Sequence, residues 1–280
     1  MFRGEVAALA AAGLWAFATL LFGRLGKRLP PLVLNLVKGG VAIALILFTL
    51  LLRQQLLANL PGRAAVLLLI SGVVGIGLGD TAYFATVNDL GPRRALLMET
   101  LAPPLSAVMA LGLIGEQLSN VAWLGIVITL LGVAWVVSER AAPGEVRSLR
   151  RGIGLGILAA LGQATGAVLS RAALANTGID PLWSALLRLL AGLICLGGLV
   201  WVRPGLGQGV SQLRSGRLLA GVAVAAFFGT YLAIWLQQIA FKFAETGVAQ
   251  AMLATSPVFV LPMAAMMGEC WRLGAWGCCF

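Results

Sequence analysis

The stretch GPRRALLMETLAPPLSAVMALGLIGE, residues 91–116, is too apolar for a helix in water and too interrupted for a simple membrane anchor. Arg93 and Arg94 open it, Glu99 lies inside the apolar run, Pro103 and Pro104 follow, and Gly115-Glu116 closes it. A membrane span needs roughly 20 mostly apolar residues to cross about 30 Å of hydrocarbon. A carboxylate at that depth is costly and is a functional candidate by default. The prolines remove backbone donors, and the carbonyls they free must be satisfied by protein or trapped water, since lipid offers nothing.

The rest of the chain has the same character. Of 280 residues, 60% are hydrophobic and 11% charged, with mean hydropathy +0.97. Soluble domains run at about 45–50% apolar and about 25% charged. Nine apolar runs are long enough to span: 4–22, 32–52, 64–87, 94–114, 120–137, 152–174, 181–201, 216–240 and 247–267, and a tenth begins near Trp271. The connections leave no room for a soluble domain. The net charge of +10 sits mostly in short loops, which suits topology and anionic lipid headgroups rather than nucleic acid. There is no histidine, and Cys195, Cys270, Cys278 and Cys279 fit no zinc spacing. Nor is there a phosphate-binding loop, a dinucleotide fingerprint or a Ser-His-Asp set. The sequence therefore calls for no catalytic residue, metal or cofactor, and an enzyme is the least expected class.

The opening stretch has a twin, ETGVAQAMLATSPVFVLPMAAMMGE, at 245–269. Pro104 stands to Gly115-Glu116 as Pro257 stands to Gly268-Glu269, and Trp123 and Trp276 follow at equal distances. Arg3-Gly4 pairs with Arg151-Gly152, Pro31 with Pro181, Lys38 with Arg188 and Gly79 with Gly229, at offsets that drift only from 148 to 153. Residues 3–139 and 151–280 thus read as two copies of one five-helix unit. An odd number of helices makes the second copy enter from the opposite side, giving an inverted repeat. The expected fold is an all-α polytopic membrane protein of ten helices, the tenth of them short: far fewer residues follow Glu269 than separate Glu116 from Ser138. The repeat also argues against reading the first run as a cleaved leader. Matched prolines at Pro104 and Pro257 mark a hinge or cavity position in both fourth helices.

Trp15 in the first helix, the Lys38/Arg188 pair in the second helices, and the Pro-then-Gly-Glu fourth helices resemble the EamA branch of the drug/metabolite transporter superfamily. The resemblance covers essentially the whole chain. It implies a ten-helix exporter of small metabolites, such as amino acids, with a central cavity between the halves and a plasma (bacterial inner) membrane location. Two departures are that Trp15 is matched by Gln163 and that the last helix is short. A lipid or lipid-linked-sugar flippase and a non-transporting degenerate copy are the alternatives.

Four ionisable groups remain at membrane depth: Lys38, Asp80, Glu99 and Arg188. At about 1.5 Å per residue, Lys38, Glu99 and Asp80 lie roughly 10, 8 and 12 Å from one face, so they can meet. One lysine beside two carboxylates leaves an excess negative charge that a bound proton would cancel. Proton coupling, a static ion pair and direct substrate contact all fit this set. Arg188 is expected near the opposite face without a charged mate, free to snorkel, to pair with carbonyls or to hold an anionic substrate group. Further cavity candidates are Trp15, Asn35, Tyr83, Gln163, Gln237 and Gln250, with Tyr231, Trp235 and Gln238 on one face of the eighth helix. The Gly75/Gly79 and Gly152/Gly156 pairs read as close helix contacts. The Lys/Arg bias of the loops places the N-terminus outside, whereas the family resemblance implies a cytoplasmic one, so orientation stays open.

Overall fold

The computed structural model describes residues 2–25, 29, 31–55, 60–90, 92–117, 148–202 and 215–256, with a few others between 119 and 131 and between 258 and 263. Among these the chain is helical throughout, and no strand occurs. The elements are α1 (Arg3–Leu25), α2 (Pro31–Leu52), α3 (Gly62–Ser71), α4 (Asp80–Leu90), α5 (Pro92–Glu99), α6 (Ala102–Ile114), α7 (Leu149–Leu174), α8 (Pro181–Val202), α9 (Gly216–Ala226), α10 (Ala233–Phe243) and α11 (Thr246–Leu253). Two π-helical segments, Gly72–Gly79 and Phe227–Leu232, join α3 to α4 and α9 to α10 into continuous rods. Seven helical stretches are long and apolar enough to cross a bilayer: Arg3–Phe22, Leu32–Leu52, Gly62–Tyr83, Leu97–Ile114, Leu149–Leu174, Pro181–Val202 and Gly216–Phe243. They match seven of the nine runs. Most of the 120–137 run, much of the 247–267 run, the stub after Trp271 and Pro257 lie outside the described residues.

The packing follows the logic of helices in lipid. Lipid tails supply no hydrophobic drive, so association rests on close approach of small residues. The interior is rich in alanine: Ala8, Ala11, Ala12, Ala16, Ala160, Ala164, Ala225 and Ala233 are fully buried. Large apolar side chains such as Phe48, Leu52, Ile194 and Trp201 face outward. The Gly72–Gly79 segment is wedged between α7 and α8 at backbone contact. A methyl group on Gly72 would strike the Arg188 carbonyl, and one on Gly77 would lie 2.8 Å from the Cys195 sulfur. Gly75 and Gly79 face Gly166 and Gly162 of α7, and Gly152 and Gly156 accommodate Leu90 and Met98.

The helix contacts recur when the two halves are exchanged. The α1 helix packs on α10 and the second π segment, as α7 packs on α4 and the first. Likewise α1 meets α11 as α7 meets α6, while α2 meets α8 and α6 meets α11. The fourth span is broken. Its first half, α5, ends at Glu99; Thr100 and Leu101 form a turn, and α6 restarts at Ala102. Pro103 and Pro104 sit in the first turn of α6, where a missing donor costs an α-helix least. Pro104 therefore does not kink an intact helix; it begins a new one. The break recurs after α11, where Thr255 donates to the Met252 carbonyl at 2.6 Å as Thr100 donates to the Leu97 carbonyl at 2.7 Å.

Candidate functional site

The site lies where the helices of the two halves cross. Asp80 is the first residue after the Gly72–Gly79 segment. The wider turn of a π segment displaces side chains from regular α-helical register, and such segments concentrate at functional positions. Lys38 from α2 approaches the Asp80 carboxylate at 3.7 Å, with both side chains about a fifth exposed (18% and 22%). Gln163 from α7 donates to the other carboxylate oxygen at 3.1 Å. Asp80 thus receives a charge partner from its own half and a hydrogen bond from the other. Glu99, half-buried at the helix break, acts electrostatically on Asp80 and Lys38. Tyr83, one turn beyond Asp80, feels both carboxylates. Because residues 103 and 104 are prolines, the carbonyls of Glu99 and Thr100 lack their i+4 donors.

Trp15 and Gln163, the departure from strict repetition, turn out to do related jobs. The Trp15 indole donates to the Gly229 carbonyl at 2.8 Å, while Gln163 donates to Asp80. The first helix of each half therefore bonds the third span of the other half, from matched positions to sites one residue apart in the repeat. Gln250 of α11 donates to the Gln163 carbonyl at 3.5 Å, a weak contact that brings the second broken span to the same place.

Arg188 differs from expectation. It is 2% exposed and does not snorkel to a membrane face. Its guanidinium lies over Gly75 and Gly166, donates to Gln237 at 3.3 Å, and is close enough to Asp80 for their charges to interact. The glycines explain the burial, since any side chain at those positions would occupy the space of the guanidinium.

A small cavity adjoins the ion pair. It is lined by Asn35, Lys38, Asp80 and Thr230, with Ile76, Leu189, Leu193 and Ile234 among its apolar walls. Its volume is about 20 Å³, room for one or two waters. The face formed by Tyr231, Trp235 and Gln238 looks elsewhere. Tyr231 and Trp235 join an apolar cluster with α2 and α8, and Gln238 accepts from Ser184 at 2.8 Å. The third span of the second half turns Thr230 and Ile234 to the cavity instead, one position round the helix.

Glu116 was legible only as part of a motif. Gly115, at φ +70°, ends α6 in the left-handed conformation that glycine adopts without a Cβ penalty. Glu116 then accepts from Arg171 at 2.7 Å and from the Thr246 backbone N–H, at the start of α11, at 2.9 Å. Arg171 also donates to the carbonyls of Phe241 and Lys242. The Gly-Glu pair therefore ends one helix, caps another and clamps α7 to α10.

This combination of two halves, broken fourth spans and a charged seam can be set beside known proteins. The EamA-like transporter family matches the sequence twice, over residues 2–138 and 150–277. The chain belongs to the EamA-like transporter family. This EamA protein is accordingly a multi-pass membrane protein of the drug/metabolite transporter superfamily. Fifteen chains of solved structures match it. One, a crystal structure described only as that of a protein, aligns over 97% of this chain and 90% of its own, with TM-score 0.71 and 17% identity. At that identity the likeness shows the EamA protein's fold alone. The comparison with curated proteins finds no match.

Proposed function

We propose that this EamA protein exports small metabolites, such as amino acids, across the plasma membrane by alternating access, with Glu99 carrying a coupling proton. In this reading ten helices form two five-helix units of opposite orientation, and the seam between them is exposed to each face in turn. The family match, repeated over the two halves, and the contacts that recur when the halves are exchanged support that architecture. The observation that carries the function is the Lys38–Asp80 pair, held at the seam by Gln163 of the opposite half and bordered by a cavity. A pair that served only to tie helices together would need neither a cavity beside it nor a broken helix presenting a further carboxylate.

The test is the metabolite profile of the medium from cells expressing the chain, its Glu99→Gln variant, or an empty vector. Export predicts that one compound class accumulates outside only with the unmodified chain, and that Glu99→Gln abolishes dependence on the pH gradient. Equal media despite confirmed membrane expression would reject export. Unchanged pH dependence in the variant would remove Glu99 from the coupling.

A further inference from the structure

Among the described residues Arg188 is the only basic residue that is buried, at 2% exposure. A buried charge is costly unless it is paired and hydrogen-bonded. Arg188 makes no ion pair among the described residues. Its Nη1 donates to the neutral Gln237 side chain at 3.3 Å, and its Nε has no hydrogen-bond partner. The state shown here therefore leaves this charge without the counter-ion that would account for its burial.

The carboxylate whose charge acts on Arg188 is Asp80, and Asp80 is engaged elsewhere. Lys38 approaches it at 3.7 Å, longer than a tight charge-assisted hydrogen bond of about 2.7–2.9 Å. Guanidinium and carboxylate lie one turn apart along the same rod. Nη2 sits over Gly75, and the Asp80 backbone N–H donates to the Gly75 carbonyl. At this crossing Gly75 faces Gly166 and Gly79 faces Gly162, so the helices meet through backbone. Packed elements in switching proteins shift past one another by as much as a turn, about 5.4 Å. The repeat adds a second observation. Lys38 and Arg188 are twins in the second helices of the two halves, whereas the twin of Asp80 is the neutral Thr230. Two equivalent cations, one from each half, thus compete for a single carboxylate.

We infer that Asp80 exchanges cations as the seam moves, pairing with Lys38 of its own half in the state shown and with Arg188 of the opposite half when the seam opens to one face. Glu99 is within electrostatic reach of Lys38 and takes the ammonium that Asp80 leaves, so neither cation is stranded in the second state. Arg188 is then a positioning residue, acting on the transition through Asp80 and not on the solute. The inference rests on the transporter reading above and adds the switch that links its states.

The test needs no solute. Ile234→Cys, on the cavity wall, is introduced into the full chain with its native cysteines replaced by serine. An impermeant maleimide is then applied to each side of oriented membranes. This parent chain should label from both sides. Arg188→Met should slow labelling from one side by about tenfold or more and leave the other side unchanged, because Asp80 has no cation in the second state. Arg188→Lys should restore that side, which a role in packing alone would not do. Arg188→Met should also melt no lower than the parent, since it replaces a charge that has no ion partner in this state by an apolar chain. Arg188→Gln keeps a polar side chain without the charge and should lose the same side, so the idea stays testable even if Arg188→Met folds poorly. Two-sided labelling of both neutral variants at the parent rate would overturn the exchange and leave the transporter reading standing; it is also the result expected if Arg188 serves only to hold an anionic solute. A lower melting temperature with labelling lost equally from both sides would make Arg188 a tie and overturn the exchange as well. Labelling of the parent from one side only would reject alternating access itself, and the exchange with it.

Discussion

Asp80 takes contacts from both halves of the chain, an ammonium from α2 and an amide from α7. This separates a tie from a working site. Lys38→Met removes the nearest counter-charge of a carboxylate at membrane depth and should lower the melting temperature in detergent. The expected cost is about 1–3 kcal/mol, below the range for fully buried pairs because both side chains are about a fifth exposed. Adding Asp80→Asn removes the orphaned charge and should restore the melting temperature, while transport stays absent. Recovery of transport in the double variant would show that the pair is only a tie. At this scale the sequence was informative where depth alone decided the outcome: Lys38, Asp80 and Glu99 were expected at one level, and the structure places them within electrostatic reach. It was uninformative where the partner is distant along the chain. Nothing local to Glu116 indicates Arg171 or the start of α11, although recurrence of the Gly-Glu pair marked the position. Arg188 was placed near a membrane face because its depth in α8 was legible, whereas the glycines of two other helices that let it stay buried were not.

The elements themselves were largely legible, because a run of about 20 apolar residues has few alternatives. Their interruptions were less so. The prolines of 91–116 announced a disturbance, but not that it would be a full break with a new helix starting at Ala102. The π segments had only their glycines as a signal. Tyr231, Trp235 and Gln238 share a face, but in a helix buried on most sides polar and aromatic spacing does not show which neighbour that face meets, and Tyr231 and Trp235 pack with α2 and α8. Close packing gives this scale its own prediction. Gly72→Ala pushes a methyl group into the backbone of α8 and should cost about 1–3 kcal/mol by overpacking, read as a lower melting temperature. Gly40→Ala, in α2, meets nothing within 4 Å and should be neutral or stabilising by up to about 1 kcal/mol, the helix-propensity gain. Equal effects of the two would mean that the α8 crossing tolerates separation.

For the whole molecule, the two-fold recurrence is the feature from which the account follows. It was visible in the sequence because motif spacing survives divergence, and the contacts of α1 with α10 and of α7 with α4 repeat it in space. The halves are not identical, and the differences lie at the site. Trp15 matches Gln163, and Asp80 matches Thr230, so a symmetric frame encloses an asymmetric cavity. In this structure that cavity holds at most a water or two, which suits a state closed around the seam. Alternating access requires the same residues to open to each face in turn. The most direct test uses Ile234→Cys, on the cavity wall, in a chain whose Cys195, Cys270, Cys278 and Cys279 are replaced by serine. A membrane-impermeant maleimide is added to one side or the other of membranes of known orientation. The account predicts labelling from both sides, slowed by a transported solute. Labelling from one side only, or from neither during confirmed transport, would contradict it.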